Sequence, residues 1–325
     1  MDIPKLPEHN LPSSRLPAPT LPSEVAADFR SGFVALIGRP NVGKSTLLNR
    51  LVGEKVAITS PVPQTTRNRL RAILTTPTAQ LVLLDTPGIH KPHHLLGERL
   101  VQSARGAIGE VDVVLLLVDG SEPAGRGDGF IVDLLRHCRA PVLVALNKQD
   151  LVDPAAAEGL EASYRQLLEQ AELSAPLQGC SASTGEGCAD LVAALAAQLP
   201  LGPHLYPTDT VSDQPEQLLL SELIREQVLT HTREEIPHSV AVQIERIVED
   251  DKRTAVLATV LVERSSQKGI LIGKGGRMLK EIGTGARHQM EKVFAGPVYL
   301  ELFVKVVPNW RRSAARLAEL GYSGA

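Results

Sequence analysis

The nine residues Gly38–Thr46, "GRPNVGKST", directly follow the apolar run Phe33–Ile37, "FVALI", and their reading decides the fold. Gly38, Gly43, Lys44 and Ser45 satisfy G-x-x-x-x-G-K-[ST], a pattern whose mechanism needs a strand before it and a helix after it. Glycines let the backbone curl with its N–H groups turned inward around phosphates, and the following helix N-terminus adds a favourable dipole. Arg39, Pro40, Asn41 and Val42 complete the cradle, and Thr46 enters the helix. Lys44 is expected to reach the β- and γ-phosphates, and Ser45 to give its hydroxyl to Mg²⁺.

Working outward, "QLVLLD", "VDVVLLLVD" and "PVLVALN" are further short apolar runs separated by polar or amphipathic stretches. The alternation predicts an α/β domain with a mostly parallel sheet covered by helices, whose ligands sit at the carboxyl ends of the strands. The second run ends in Asp85-Thr86-Pro87-Gly88. Asp85 fits the carboxylate that holds Mg²⁺ through water, and the Gly88 N–H can sense a γ-phosphate. The fourth ends in Asn147-Lys148-Gln149-Asp150. A carboxylate at Asp150 accepts paired hydrogen bonds from guanine N1–H and its exocyclic amine, donors that adenine does not offer there. Asn147 is expected to brace the loops, Lys148 to lay its stem along the base, and the Ser181-Ala182 segment of "CSAS" to offer a backbone N–H to guanine O6.

The segment Pro200–Pro215 contains five prolines or glycines that neither a helix nor a central strand tolerates, and it marks a joint. Beyond it "PEQLLLSELIREQVLTHT" has helical spacing, with Leu219, Leu223, Ile224 and Val228 on one side. The period then changes to two in "SVAVQIERIV", "TAVLATVLVE" and "VYLELFVKVV". Between the last two lie two helical segments around the turn Gly273-Lys274-Gly275-Gly276. Such a turn permits close approach to a sugar-phosphate chain, with Lys274, Arg277 and Lys280 supplying charge. From Glu263 to Arg312 ten Lys and Arg face four Glu, a balance of +6 in a chain whose net charge is -3. Trp310 either stacks on a base or covers a core edge.

The four boxes in this order resemble the translation-factor-like GTPases, and "PQTTRNR", residues 63–69, is similar to the switch-I segment of their Era and TrmE branch. The resemblance implies a threonine that closes on Mg²⁺ when GTP is present, assigned to Thr65 with Thr66 as its neighbouring candidate. It also implies K⁺ beside the phosphates, with Asn41 as the matching residue. Ile89 stands where Ras-like proteins carry a water-orienting glutamine, so slow intrinsic hydrolysis is expected. His90, His93 and His94 read as an exposed part of the second switch loop rather than a metal cluster.

With the order helix, two strands, two helices, strand, the second half is similar to a type II KH fold. Both modules together, through "GRPNVGKSTLLNRL", "ITSPVPQTTRNR", "DTPGIH", "SELIREQVL" and "RSSQKGILIGKGG", resemble the Era family of bacterial GTPases across roughly nine-tenths of the chain. The division expected is a proline-rich tail at 1–29, a P-loop GTPase domain at 30–199, a linker at 200–215 and a smaller α+β type II KH domain at 216–325. The resemblance implies GTP hydrolysis, binding of 16S rRNA near its 3′ end, assistance to assembly of the 30S subunit, and occasional peripheral association with the inner face of the cell membrane. A monomer is the expected form. Cys138, Cys180 and Cys188 lack paired spacing, which points to a reducing cytoplasm, and no apolar run reaches the ~18 residues of a membrane-spanning helix. An inactive RNA-binding scaffold conflicts with intact Lys44, Ser45 and Asp85; an ATP-dependent kinase conflicts with Asp150; and the TrmE type carries a C-terminal cysteine where this chain ends "LGYSGA".

Overall fold

The computed structural model describes residues 28–62, 65–66, 70–89, 102, 106–233, 236–249 and 253–320. The tail before residue 28, the three switch-loop histidines, and residues 63–64 and 67–69 of the switch-I segment lie outside the described residues.

The first unit is a six-stranded sheet in the order β2-β3-β1-β4-β5-β6. Its strands are β1 (Arg30–Ile37), β2 (Leu70–Thr75), β3 (Ala79–Asp85), β4 (Val113–Asp119), β5 (Val142–Asn147) and β6 (Leu177–Gly179). Every neighbouring pair is parallel except β2 and β3, which run antiparallel. Strands β3, β4 and β5 are buried at every position, as expected of strands covered on both faces. The edge strand β2, "LRAILT", has no long apolar run and was not foreseen in the sequence; it forms because it can pair with one side of β3. Helices α1 (Lys44–Val52), α2 (Arg126–Leu135), α3 (Ala157–Gln170) and α4 (Cys188–Gln198) cover the sheet. One core gathers Leu47, Leu48, Leu191 and Leu195 on one face, and a second gathers Ile131, Leu135, Tyr164 and Leu168 on the other.

The linker is docked rather than free. Gln80 Oε1 accepts the N–H groups of Leu205 (2.7 Å) and Tyr206 (2.9 Å), Arg71 pairs with Asp213 at 3.0 Å, and Leu201 bridges to Arg30. Prolines that break regular structure still leave carbonyls and side chains able to bind a neighbouring sheet edge.

The second unit begins with α5 (Glu216–His231) and the single turn α6 (Ile236–Ser239). It continues through β7 (Ala241–Glu249), β8 (Thr254–Val262), α7 (Ser265–Ile272), α8 (Arg277–Val293) and β9 (Val298–Val306), and closes with α9 (Ala314–Glu319). The sheet order is β7-β8-β9, antiparallel then parallel. Helix α5 buries Leu220, Leu223, Ile224 and Val228 with Ile282, Ala286 and Met290 of α8, while Leu219 is only partly covered. Ser221, Arg225 and Glu226 of α5 are buried too, because the helix meets the first unit on its other side.

Trp310 is fully buried in a cluster with Ala241, Leu261 and Leu317, and its indole N–H donates to the Ser239 carbonyl at 3.0 Å. Of its two sequence readings the core edge is the one realised. Replacing Trp310 by Ala should lower the stability of this unit by about 3–5 kcal/mol, the usual loss for a large buried aromatic, measured as a shift of its urea transition followed by circular dichroism.

Candidate functional site

Parallel pairing brings the carboxyl ends of β1, β3 and β5 to one edge, which places Gly38, Asp85 and Asn147 around one cleft. The loop after β1 reaches α1 through Gly43, whose φ of 100° is left-handed. A Cβ there would stand 2.3 Å from the Asn147 amide nitrogen, so glycine serves both the curl and the close approach of the base loop. Asn147 Nδ2 donates to the Val42 carbonyl (2.8 Å) and its Oδ1 accepts the Ala182 N–H (2.9 Å). One amide thus ties phosphate loop, base loop and the "CSAS" loop together, as the sequence led us to expect of Asn147. The Ala182 N–H is engaged by Asn147.

Lys44 is buried at the start of α1, and its Nζ donates to the carbonyls of Gly38 (3.1 Å) and Arg39 (2.8 Å). Burial lowers its pKa to about 8, with the Asp85 charge acting the other way. Asp85 is fully buried at the end of β3, and burial raises its pKa while Lys44, Ser45 and Thr66 oppose the shift. Its Oδ2 accepts the hydroxyls of Ser45 (2.9 Å) and Thr66 (2.9 Å), and those two hydroxyls are 3.1 Å apart. Its Oδ1 is buried with no hydrogen-bond partner among the described residues. Two hydroxyls and a carboxylate oxygen without a partner form the oxygen donor set that a hard divalent cation takes.

Here one assignment changes. Thr65 donates its hydroxyl to the Val62 carbonyl at 2.6 Å, and Thr66, not Thr65, stands at the Ser45–Asp85 cluster. The two are adjacent hydroxyls, and they face opposite partners: Thr65 the Val62 carbonyl, Thr66 the Asp85 carboxylate. Asn41, also at a left-handed φ of 65°, donates to the Pro61 carbonyl at 2.8 Å, so the phosphate loop touches the chain that leads into the switch-I segment. A cleft lined by Asn41, Gly43, Lys44, Ser45, Thr59, Thr65, Thr66 and Gly88 results. Thr86 donates to the Leu36 carbonyl at 2.7 Å and holds the start of the Asp85–Gly88 loop. Ile89 is buried in the core, so its side chain takes no part in the cleft.

On the base side Asp150 is exposed, and its Oδ1 accepts the Ser181 hydroxyl at 2.5 Å, the main reason its pKa is lowered. Lys148 donates to Asp119 at 2.5 Å. Burial would raise the pKa of Asp119, but hydrogen bonds from Lys148 and Ser121 outweigh it and the net shift is downward. The sequence showed Asp119 only as the end of an apolar run; its place at the same sheet edge was the signal of a role.

In the second unit Gly273, Gly275 and Gly276 have φ values of 71°, 63° and 80°, and the turn joins α7 to α8. Lys274, Arg277 and Lys280 are exposed around it, as is the apolar Ile270. Nothing crowds a Cβ built on Gly275 or Gly276, so the clamp face is open.

Residues 33–148 match the family model of a 50S ribosome-binding GTPase, and residues 235–311 match that of the KH domain. The chain is 56% identical to GTPase Era of Synechocystis over 96% of this chain and 98% of that protein. The family is therefore shown. This chain belongs to the Era family of GTPases. It is also 45% identical to GTPase Era of Staphylococcus haemolyticus over 91% of its length and 98% of that protein. Two solved structures align with a TM-score of 0.85 over 91% of this chain: a point variant of Aquifex aeolicus Era bound to GDP and AlF4-, at 39% identity and 100% of that chain, and Era with MgGDPNP and nucleotides 1506–1542 of 16S ribosomal RNA, at 38% identity and 99% of that chain. The fold is thus a P-loop GTPase domain with a C-terminal KH domain, as the sequence resemblance implied.

Asp150→Asn should weaken GDP and GTP binding by about 100-fold, since an amide repels one donor of guanine's pair where a carboxylate accepts both. Titration with a fluorescent GDP analogue measures this, and the same variant should gain affinity for xanthosine diphosphate.

Proposed function

We propose that this protein is a GTP-hydrolysing switch that binds 16S rRNA near its 3′ end and assists assembly of the small ribosomal subunit. The observation that carries the reading is the presence, in one chain, of the Asp150 guanine site, the Ser45–Thr66–Asp85 cluster and the open Gly273–Gly276 clamp. The similar solved structure that holds both MgGDPNP and a 16S rRNA segment supports it. Ser45 and Thr66 would hold Mg²⁺, with Asp85 beside them, and the ion supplies neutralisation of charge on the β- and γ-phosphates. Lys44 neutralises the same oxygens, the backbone N–H groups of the loop orient them, and the Gly88 N–H senses the terminal phosphate.

Asn41 would also help hold K⁺ where the phosphate loop meets the chain leading into switch I. Without a glutamine after Gly88, a monovalent cation there would take over part of the charge stabilisation. The chain is read as a cytoplasmic monomer with occasional peripheral membrane contact. Among the described residues no helix is long and apolar enough to cross a membrane.

GTP turnover measured with and without an oligonucleotide from the 3′ end of 16S rRNA tests the function. Stimulation by that RNA and not by a scrambled one is the expected result; equal rates would remove the switch reading. Replacing K⁺ by Na⁺ at constant ionic strength should lower kcat. Gly275→Asp puts a carboxylate into the clamp at a left-handed φ that Asp tolerates, and should weaken oligonucleotide binding at least ~10-fold by filter binding while GDP affinity stays unchanged.

A further inference from the structure

The chain that leads into switch I, from Lys55 to Val62, and Thr65 within switch I are bound by two different domains. On the GTPase side Asn49 of α1 accepts the N–H groups of Val56 (3.0 Å) and Ala57 (2.9 Å) and donates to the Ala57 carbonyl (2.8 Å). On the KH side Ile58 is buried in the KH core with Leu220, Leu223 and Ile224, and Val62 packs against the same cluster. Glu226 of α5 accepts the Thr59 N–H at 2.9 Å through one oxygen and the Lys55 ammonium at 2.6 Å through the other. Arg225, one residue before it and only 1% exposed, donates to the Thr65 carbonyl. Its guanidinium is fixed by Glu222, at 2.8 Å from Nε and 2.5 Å from Nη2. Thr66, the next residue after that carbonyl, stands beside Ser45 and Asp85.

A loop this close to the reacting phosphates has many conformations to lose, and its threonine acts only in one of them. Buried, charge-assisted hydrogen bonds to backbone atoms restrict a chain more firmly than exposed ones, because no water replaces them. The Arg225 fork acts on the peptide immediately before Thr66, and the Glu226 carboxylate acts at the other end of the segment.

We propose that Arg225 and Glu226 of the KH domain are positioning residues for GTP hydrolysis, holding Lys55, Thr59 and Thr65 so that the Thr66 hydroxyl stays at the Ser45–Asp85 cluster. The KH domain is then a part of the GTPase site and not only the module that this site controls. A separated first domain lacks both clamps, and anything that shifts α5 shifts Thr66. The inference rests on the reading of the Ser45–Thr66–Asp85 cluster as the place where GTP is hydrolysed.

The test is steady-state and single-turnover GTP hydrolysis by the full chain carrying Arg225→Met, Glu226→Ala, Glu226→Gln or Lys55→Met, together with GDP affinity. A misplacement of about an ångström in a site of this kind costs on the order of 100-fold. Arg225→Met and Glu226→Ala should lower kcat by about 10- to 100-fold with GDP affinity within about twofold, since GDP lacks the phosphate that Thr66 attends. Glu226→Gln keeps an oxygen for the Thr59 N–H and should recover most of the rate. Lys55→Met reaches the same clamp from the GTPase side through a partly exposed residue, so it keeps the test decisive if an α5 variant does not fold. It should give a loss of several-fold. Wild-type turnover with unchanged kcat in folded variants would overturn the inference, as would parallel loss of kcat and GDP affinity without rescue by Glu226→Gln. Absence of turnover in the wild type would instead overturn the functional reading beneath it.

Discussion

Gly43 imposes the constraint on which the nucleotide site depends. Its left-handed backbone turns the loop from β1 into α1, and the space left by its missing side chain is filled by the Asn147 amide. Through that contact the phosphate loop, the base loop and the Ala182 loop become one unit, so that reading guanine and cradling phosphate are not independent acts. Lys44, placed next to Gly43, is driven into a buried position where its charge is opposed by desolvation and favoured by Asp85. An anionic ligand relieves that conflict. Asp85, equally buried and with one oxygen lacking a partner, is balanced in the opposite sense and suits a cation. The site is held in readiness by groups that are each under-satisfied until charge of the other sign arrives.

Much of this could be read from the chain because the chemistry restricts the residues. A guanine-reading carboxylate, a phosphate lysine and a hydroxyl for a hard cation have few substitutes, and parallel strands deliver them to one edge. Other features depend on conformations that composition does not specify. Thr65 and Thr66 offer the same hydroxyl one residue apart, and nothing in their composition says that Thr65 bonds back to Val62 while Thr66 faces Asp85. Strand β2 is short and carries Arg71 at its second position, so its identity comes from pairing with β3. Lys148 needs Asp119 as a partner 29 residues away, which no local pattern reveals. Arg225 and Glu226 lie on what looks like the polar face of an amphipathic helix, yet that face is buried by another domain.

That second burial changes how the two modules are understood. Helix α5 packs its apolar side on the KH core, against the α8 helix that follows the glycine turn, and presents its charged side to the chain leading into switch I. The docked linker, with Gln80 and Arg71 holding Leu205, Tyr206 and Asp213, limits how far the domains can separate. Because one helix is shared by both units, the proposed coupling needs no long relay of small shifts. Linkage then requires that RNA and the triphosphate alter each other's affinity by the same factor.

The most direct test of this account is the affinity of a 16S rRNA 3′-end oligonucleotide for the full chain loaded with GDP or with a non-hydrolysable GTP analogue, by calorimetry. The account predicts a difference of at least about fivefold, matched by an equal change in analogue affinity when RNA is present. Identical oligonucleotide affinities in the two nucleotide states would contradict it, and would leave two binding modules that share a polypeptide without sharing free energy.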